Sequence, residues 1–232
     1  MDINRVEVQV MPGHIEANTY EEFVLKLHDV KVSIRSRRDG RQQDQLEYWV
    51  IQRYLPLTIT KDAGYYHLEK RESPDFELII DDEIIGLEVT ESTCEQFQEL
   101  LNYVDRNPDL EFEYCNFRYG KEFSKDNLYK LLQPKNSKLT GPGWGGFEPE
   151  SFASQWARDS AFKKMNRMLK WSYSYKTTIL LYDNTPTICK KAHFERILRK
   201  YISNDLQLNG CRVDLLTSCG KTAFIKLNEE VA

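Results

Sequence analysis

The order of apolar and polar positions along the chain predicts both strands and helices. Alternating or β-branched apolar residues predict strands at 3–10, 65–68, 76–80, 83–90, 211–217 and 222–227. Helical spacing of the apolar positions predicts helices at 18–28, 42–55, 94–105, 151–171 and 190–203. The near-continuous apolar run TTILLYDN, residues 177–184, is typical of a strand that is buried on both faces.

Cap and turn residues predict where some of these elements begin and end. Asn18 or Thr19 is placed to cap the first helix, and Pro56 is expected to end the helix that starts at residue 42. Asp81-Asp82 separates FELII from EIIGLEVT, and these two runs therefore predict a β-hairpin.

The order of these elements predicts an α/β fold with a mixed central sheet and helices packed on it. Residues 106–150 lack a regular pattern and are expected to be irregular. They end in GPGWGGFEPE, whose glycines and prolines are typical of a mobile loop or an insertion.

The charge of the chain limits the kinds of partner it can bind. The 232 residues carry a net charge of −4, so the molecule as a whole has no bias toward nucleic acid. Basic residues cluster at 31–41, 158–176 and 190–200, and a polyanion would have to bind at such local patches. Trp144 is a candidate for stacking on a base. The alternative is that these basic residues are ordinary solvated helix faces.

The cysteines and the N-terminus favour a cytoplasmic protein. The five cysteines form no CxxC pair and no zinc-finger spacing, and this pattern predicts reduced, buried thiols: Cys94, Cys115, Cys189, Cys211 and Cys219. The start MDINRVEVQVMPG lacks the apolar region of a signal peptide. No apolar run reaches the roughly 18 residues of a membrane helix, so no membrane partner is expected.

The hairpin carries two carboxylates that are candidates for a metal site. Side chains on a strand alternate between faces, so Glu88 and Thr90 face away from Leu87 and Val89. If Asp75 begins the neighbouring strand, its carboxylate can converge with that of Glu88. A divalent ion relieves the repulsion between such carboxylates, and hard oxygen ligands select Mg²⁺ or Mn²⁺. Such ions activate water and neutralise charge at a phosphodiester.

These residues resemble a known family of nucleases. Pro74-Asp75, an apolar strand, and then Glu88-x-Thr90 are similar to the motif of the PD-(D/E)XK superfamily. The resemblance implies a restriction-endonuclease-like core of αβββαβ order with an acidic residue on its first helix, and Glu47 matches that residue by position. It also implies metal-dependent cleavage of DNA or RNA.

The resemblance assigns roles to residues and parts of the chain. The metal ligands it implies for Mg²⁺ or Mn²⁺ are Asp75, Glu88 and, directly or through water, Glu47. The whole chain, 1–232, becomes one nuclease-like domain with an N-terminal extension at 1–41. Residues 91–150 become an insertion within the core.

The chain departs from the family pattern at Thr90, where a catalytic lysine is expected. Threonine carries no charge, so it cannot stabilise negative charge as an ammonium group does. No lysine occurs in the 30 residues after Thr90. The next long helix, 151–171, leads into the buried strand, and we predict that its Lys164 supplies the missing ammonium, with Lys163 as second choice.

Several alternatives stay open from the sequence. A catalytically inactive nuclease-like fold that binds nucleic acid or a protein is one, and an unrelated α/β interaction module is another. The missing cation could also come from Arg106 or from the basic stretch 31–41, and His67 is a candidate metal ligand that is more often an ordinary structural residue. The choice between DNA and RNA and the formation of homo-oligomers are also open.

Overall fold

A computed structural model describes most of the chain. The described residues are 11–32, 43–136, 148–168, 176–183, 196, 212–217 and 223–226. Several sequence expectations lie outside them, wholly or in large part: the strand at 3–10, the helix at 190–203, Trp144, and the basic stretches 31–41 and 190–200.

Nine strands are present in the described residues. They are β1 (His14–Ala17), β2 (Tyr66–Lys70), β3 (Phe76–Ile80), β4 (Glu83–Glu91), β5 (Leu110–Glu111), β6 (Gln133–Pro134), β7 (Lys176–Asp183), β8 (Arg212–Thr217) and β9 (Ala223–Lys226). Seven of them form one sheet in the order β1-β2-β3-β4-β7-β8-β9, and β5 pairs with β6 apart from it. Strands β4, β7 and β8 are parallel to one another and the other neighbours are antiparallel, so the predicted mixed α/β sheet is confirmed.

Five α-helices accompany the sheet in the described part of the chain. They are α1 (Tyr20–Asp29), α2 (Gln43–Thr58), α3 (Glu95–Arg106), α4 (Lys125–Tyr129) and α5 (Glu148–Met168). Thr19 caps α1, since its hydroxyl oxygen accepts a hydrogen bond from the Glu22 backbone N–H at 3.2 Å. Among these described helices, none has both the length and the apolar character needed to span a bilayer.

The prediction that Pro56 ends the second helix is wrong. α2 runs to Thr58 with Pro56 inside it. The backbone N–H of Ile59 still donates to the carbonyl of Leu55 at 3.1 Å, so helical hydrogen bonding continues beyond the proline. A proline in the last turn removes one backbone donor near the helix end, and this loss is small compared with the same substitution in mid-helix.

The prediction that 106–150 is irregular is also wrong in part. This segment contains α4, the β5–β6 pair and a 3₁₀ turn at Tyr114–Asn116, and α5 begins at Glu148 rather than at 151. The segment packs a small apolar cluster of its own on α3 and α5: Phe97, Leu100, Tyr114, Phe117, Leu128 and Trp156. Burial of these aromatic side chains orders short elements that have no periodic pattern in sequence.

Two apolar layers cover opposite faces of the sheet. On one face α1 and α2 pack over the sheet, with Tyr48, Leu55 and Leu180 in the same cluster. On the other face α5 presents Ala153, Ala157, Ala161, Met165 and Met168 to Ile179, Leu181, Val213 and Leu215. Alternate residues of β7 therefore lie in different layers, and this confirms the prediction of a strand buried on both faces.

The two described cysteines differ from expectation in their exposure. Cys94 and Cys115 are thiols that form no disulfide with any described residue, as the sequence predicts. Both are half-buried rather than buried. Cys94 directly precedes α3 at the N-terminal end of that helix.

Candidate functional site

The β3–β4 hairpin places Asp75 beside Glu88. Phe76 is paired with Leu87, so the residue before β3 lies across from the residue after Leu87. The backbone N–H of Val89 donates to Asp75 Oδ2 at 2.7 Å, and this hydrogen bond holds the carboxylate against β4. Asp75 is 8% exposed and Glu88 is 1% exposed, so both carboxyl groups have little access to water.

Lys164, on helix α5, completes this cluster. Glu88 lies on the face of the sheet that α5 covers, and Lys164 Nζ lies 2.5 Å from Glu88 Oε2. The same Nζ lies 3.4 Å from Asp75 Oδ2. The structure thus brings together the three residues Asp75, Glu88 and Lys164, although Asp75 and Lys164 are 89 positions apart in sequence.

The electrostatics of the cluster are those of two acids that share one ammonium group. Burial, followed by the negative charge of Asp75, raises the pKa of Glu88 to about 7 even though Lys164 acts in the opposite direction. Burial alone would lower the pKa of Lys164, but Asp75 and Glu88 outweigh it and raise that pKa above its ordinary value. Lys164 therefore stays charged at neutral pH, while the carboxyl pair retains affinity for further positive charge.

Glu47 lies on α2 next to this pair but has a partner of its own. It is 3% exposed, and Lys70 Nζ lies 2.7 Å from its Oε2. Gln43 Nε2 donates to its Oε1 at 2.8 Å. Burial raises the pKa of Glu47, and the negative charge of Asp75 adds to this shift, so the two acids are close enough to interact.

Asp75 and Glu88 are suited to hold a magnesium-type ion that keeps some of its water, but they do not enclose such an ion with protein ligands alone. Within the described residues, no group of three or more His, Cys, Asp or Glu side chains is arranged to hold a metal. Mg²⁺, however, is commonly held by one or two carboxylates together with water and substrate phosphates. Asp75 and Glu88 provide such a pair of hard oxygen donors, buried and mutually repelling.

Two other candidates from the sequence lie elsewhere. Lys163 Nζ lies 2.5 Å from Glu95 Oε1, at the exposed end of α3. Consecutive helical residues point about 100° apart, so Lys163 and Lys164 cannot reach the same group. His67 Nδ1 lies 3.0 Å from Glu16 Oε1 across the β1–β2 pair, where it makes an edge-strand contact.

A polar cleft of about 1100 Å³ adjoins the carboxylate pair. It is lined by α3, by residues 118–122 and by α5. Thr90 and Lys164 both belong to its lining, so the candidate site opens into it. Thr90, at the position where the sequence analysis expected a lysine, therefore faces the cleft.

Sequence reasoning missed two groups that shape the site. Lys70, at the end of β2, neutralises Glu47, and its ammonium lies 4.9 Å from the centre of the Phe76 ring. The backbone N–H of Val89 holds Asp75. The register of β2 against β3 places Lys70 across from Phe76, and knowledge of this register would have revealed Lys70. The register cannot be read from the sequence YHLEK alone.

The family resemblance rests on the Pro74-Asp75 and Glu88-x-Thr90 motif. The position of Lys164 beside both acids adds a geometric observation to that motif. Comparison with protein-family models, with curated proteins and with solved structures found no match to this chain.

Proposed function

We propose that this protein is a metal-dependent nuclease of the PD-(D/E)XK type that cleaves phosphodiester bonds of DNA or RNA. The observation that carries the proposal is the position of Lys164 Nζ, 2.5 Å from Glu88 and 3.4 Å from Asp75. The family motif combines two carboxylates with a lysine, and Thr90 stands where that lysine is expected. Lys164 would supply the missing ammonium group. It comes from a helix rather than from the strand that carries Glu88.

The order of elements around the site supports the same proposal. α2 carries Glu47, β2, β3 and β4 form the antiparallel part of the sheet, and α5 is followed by β7, which is parallel to β4. This succession corresponds to the αβββαβ order of a restriction-endonuclease-like core. In this interpretation residues 91–150 are an insertion, and its described residues beyond Glu91, the last residue of β4, add no strand to the main sheet.

Each side chain has a distinct role under this proposal. Asp75 and Glu88 would hold Mg²⁺ or Mn²⁺, and Glu47 would complete the shell directly or through water. The ion would supply Lewis acidity and a water of lowered pKa. Lys164 would orient the attacking water and stabilise the negative charge that develops on the phosphate.

A catalytically inactive member of the same fold is the second candidate, and two observations favour it. Thr90 lacks the charge that the family motif provides at this position. The ammonium of Lys164 already neutralises Glu88 by direct contact, so the fold does not need a metal ion in order to bury that acid. Such a protein would bind nucleic acid or a protein partner without cleaving it.

Titration with Mn²⁺ and a cleavage assay together test the proposal. Calorimetry should detect Mn²⁺ binding to the wild-type protein, and labelled DNA and RNA should be cleaved only when Mg²⁺ or Mn²⁺ is present. Asp75→Asn and Glu88→Gln should each abolish both properties while the protein stays folded, because Lys164 keeps the other acid as a partner.

Glu83→Gln is the matched control, since Glu83 is an exposed acid on the same hairpin that pairs with Lys176. This variant should bind Mn²⁺ and cleave like the wild type. Cleavage at the wild-type rate by Asp75→Asn or Glu88→Gln would exclude the proposed mechanism. Nucleic-acid binding without any metal-dependent cleavage would favour the inactive alternative.

A further inference from the structure

The cleft beside the site is larger than the cleavage chemistry requires. Its volume of about 1100 Å³ is slightly above the roughly 300–1,000 Å³ typical of small-molecule sites. Thr90 and Lys164 line it, and the rest of its lining comes mainly from α3 and α5 on two sides. The cleft therefore has room for a short stretch of polymer that leads to the carboxylate pair.

Two arginines in this lining have no charged partner among the described residues. Arg106, at the end of α3, and Arg167, in the last turn of α5, are exposed and make no ion pair with any other described residue. The other two cations of these helices that line the cleft are engaged, Lys163 by Glu95 and Lys164 by the acids of the site. A guanidinium group presents a planar fork of donors that matches a phosphate group.

Aromatic rings lie in the same cleft. Tyr103 is 37% exposed, and Tyr129 packs edge-on against it at 5.0 Å between ring centres. Both belong to the lining. A ring that is fixed by a neighbour and open to solvent provides a platform on which a base can stack.

The small net charge of the cleft favours binding of a single strand over binding of a duplex. Six cationic side chains and five carboxylates line it, so its net charge is small. Three of the carboxylates already accept hydrogen bonds from neighbours: Glu95, Glu99 and Asp159. A duplex is bound mainly through many phosphate contacts on a broad basic surface, which this cleft does not provide. Few phosphate contacts combined with base stacking are typical of single-strand binding.

The site itself gives a second reason to favour a single strand. Asp75 and Glu88 are almost fully buried, so a scissile phosphate has to enter between β4 and α5. A duplex is stiff, with a persistence length of about 50 nm, so bending its backbone into such a recessed site costs free energy. A single strand is more flexible and avoids this cost.

We propose that this cleft binds a single-stranded stretch of nucleic acid, with Arg106 and Arg167 on its phosphates and Tyr103 stacked on a base. This inference rests on the proposed nuclease function, because it names the form of the substrate. The contacts involve the backbone and the faces of the bases, so they suit DNA and RNA alike.

Binding is measured by fluorescence anisotropy in EDTA, where metal-dependent cleavage cannot occur. The probes are labelled single-stranded DNA, single-stranded RNA and the corresponding duplexes of one sequence. The single strands should bind more tightly than the duplexes, and the RNA and DNA arms show whether the 2′-hydroxyl contributes. Two phosphate contacts to a single strand predict a slope of log K against log salt of about −1.4.

Variants in the cleft should weaken this binding in a defined way. Arg106→Gln and Arg167→Gln should each weaken it about tenfold and reduce the magnitude of the salt slope by about 0.7. Tyr103→Ala should weaken it at least about fivefold without changing the slope, while Tyr103→Phe, which keeps the ring, should bind like the wild type. Lys26→Gln is the control for loss of one positive charge, because Lys26 lies on α1 and does not line the cleft.

The outcomes separate this inference from the proposed function. Equal or tighter binding of the duplexes, no binding of any probe, or unchanged binding by all cleft variants would each overturn the cleft assignment. Metal-dependent cleavage that persists in those cases would leave the nuclease proposal intact. If the protein binds single strands through the two arginines but never cleaves them, the assignment of the cleft to single-stranded nucleic acid is supported and the proposed nuclease activity is wrong.

Discussion

Two networks of buried charge lie on opposite faces of the same sheet, and they differ in composition. On the α2 face, Asp214 is fully buried and its Oδ2 accepts hydrogen bonds from the Tyr54 hydroxyl at 2.6 Å and from Arg212 at 2.7 Å. On the α5 face, Glu88 and Asp75 share the ammonium of Lys164. The first network therefore matches one acid with one cation, and the second has an excess of acid.

We expect the first network to be structural and the second to serve the proposed function. In the first network a buried carboxylate lies against a cation and a hydroxyl donor. In the second network burial, and then the negative charge of Asp75, raise the pKa of Glu88 to about 7 although Lys164 lies beside it. The fold maintains this arrangement beside an open cleft, where a divalent ion could bind.

Removal of Lys164 should have the largest effect. Under the proposed function, Lys164→Met should reduce the cleavage rate by about 10²–10³-fold, because it removes the ammonium group that we propose stabilises charge in the transition state. Mn²⁺ binding should persist, since the ammonium acts on the nucleophile and not on the metal. Single-turnover cleavage and calorimetry on the same preparation measure the two properties.

Lys163→Met is the control for that experiment, because Lys163 lines the cleft but pairs with Glu95 and not with Asp75 or Glu88. At saturating nucleic acid it should cleave like the wild type. Thr90→Lys added to Lys164→Met should restore only part of the rate, since the new ammonium would come from the strand and not from α5. An unchanged rate in Lys164→Met would show that the cation has another source, such as Arg106.

The second prediction concerns the balanced network. Asp214→Ala should lower the free energy of unfolding by about 3 kcal/mol, because Arg212 and Tyr54 lose their buried partner. Tyr54→Phe, which removes one hydrogen bond, should lower it by about 1 kcal/mol. Urea denaturation measures both changes. If Asp214→Ala loses cleavage but keeps the wild-type stability, the Asp214 network has a role in function, and the proposed division between a structural and a functional network is wrong.

The smallest expected effect is on the pH dependence of stability. Burial raises the pKa of Glu88 to about 7 in the folded, metal-free protein, above the ordinary value of 4.5, so between these values the folded state holds a proton that the unfolded state releases. The contribution of Glu88 to the free energy of unfolding is therefore complete below about pH 4.5 and is lost as the pH rises through 7, by about 2–3 kcal/mol between pH 5 and 8. Urea denaturation in EDTA from pH 5 to 8 measures this slope.

Glu88→Gln should remove this component of the slope. The variant also loses the contact with Lys164, which lowers its free energy of unfolding by a nearly constant amount between pH 5 and 8. The comparison therefore uses the slope of the free energy of unfolding against pH and not its absolute value. Glu83→Gln should retain the wild-type slope, because Glu83 is exposed. Parallel curves for the wild type and Glu88→Gln would contradict the raised pKa.

The sequence by itself determined the elements whose signals are local. The hairpin of β3 and β4 follows from β-branched runs around Asp81-Asp82, and the burial of β7 follows from its unbroken apolar run. Alternation along β4 also placed Glu88 and Thr90 on one face. These features depend on the period of a strand and on turn chemistry, which a few neighbouring residues specify.

Only the tertiary structure decided which distant groups meet. Helical periodicity gave Lys163 and Lys164 as neighbours, but the packing of the α5 alanines on β7 determines that Lys164 turns toward Glu88 and Lys163 toward Glu95. The pairing of Lys70 with Glu47 and the cleft beside α3 likewise depend on the packing of segments far apart in sequence. Such contacts arise from burial shared among several elements, and no local pattern encodes them.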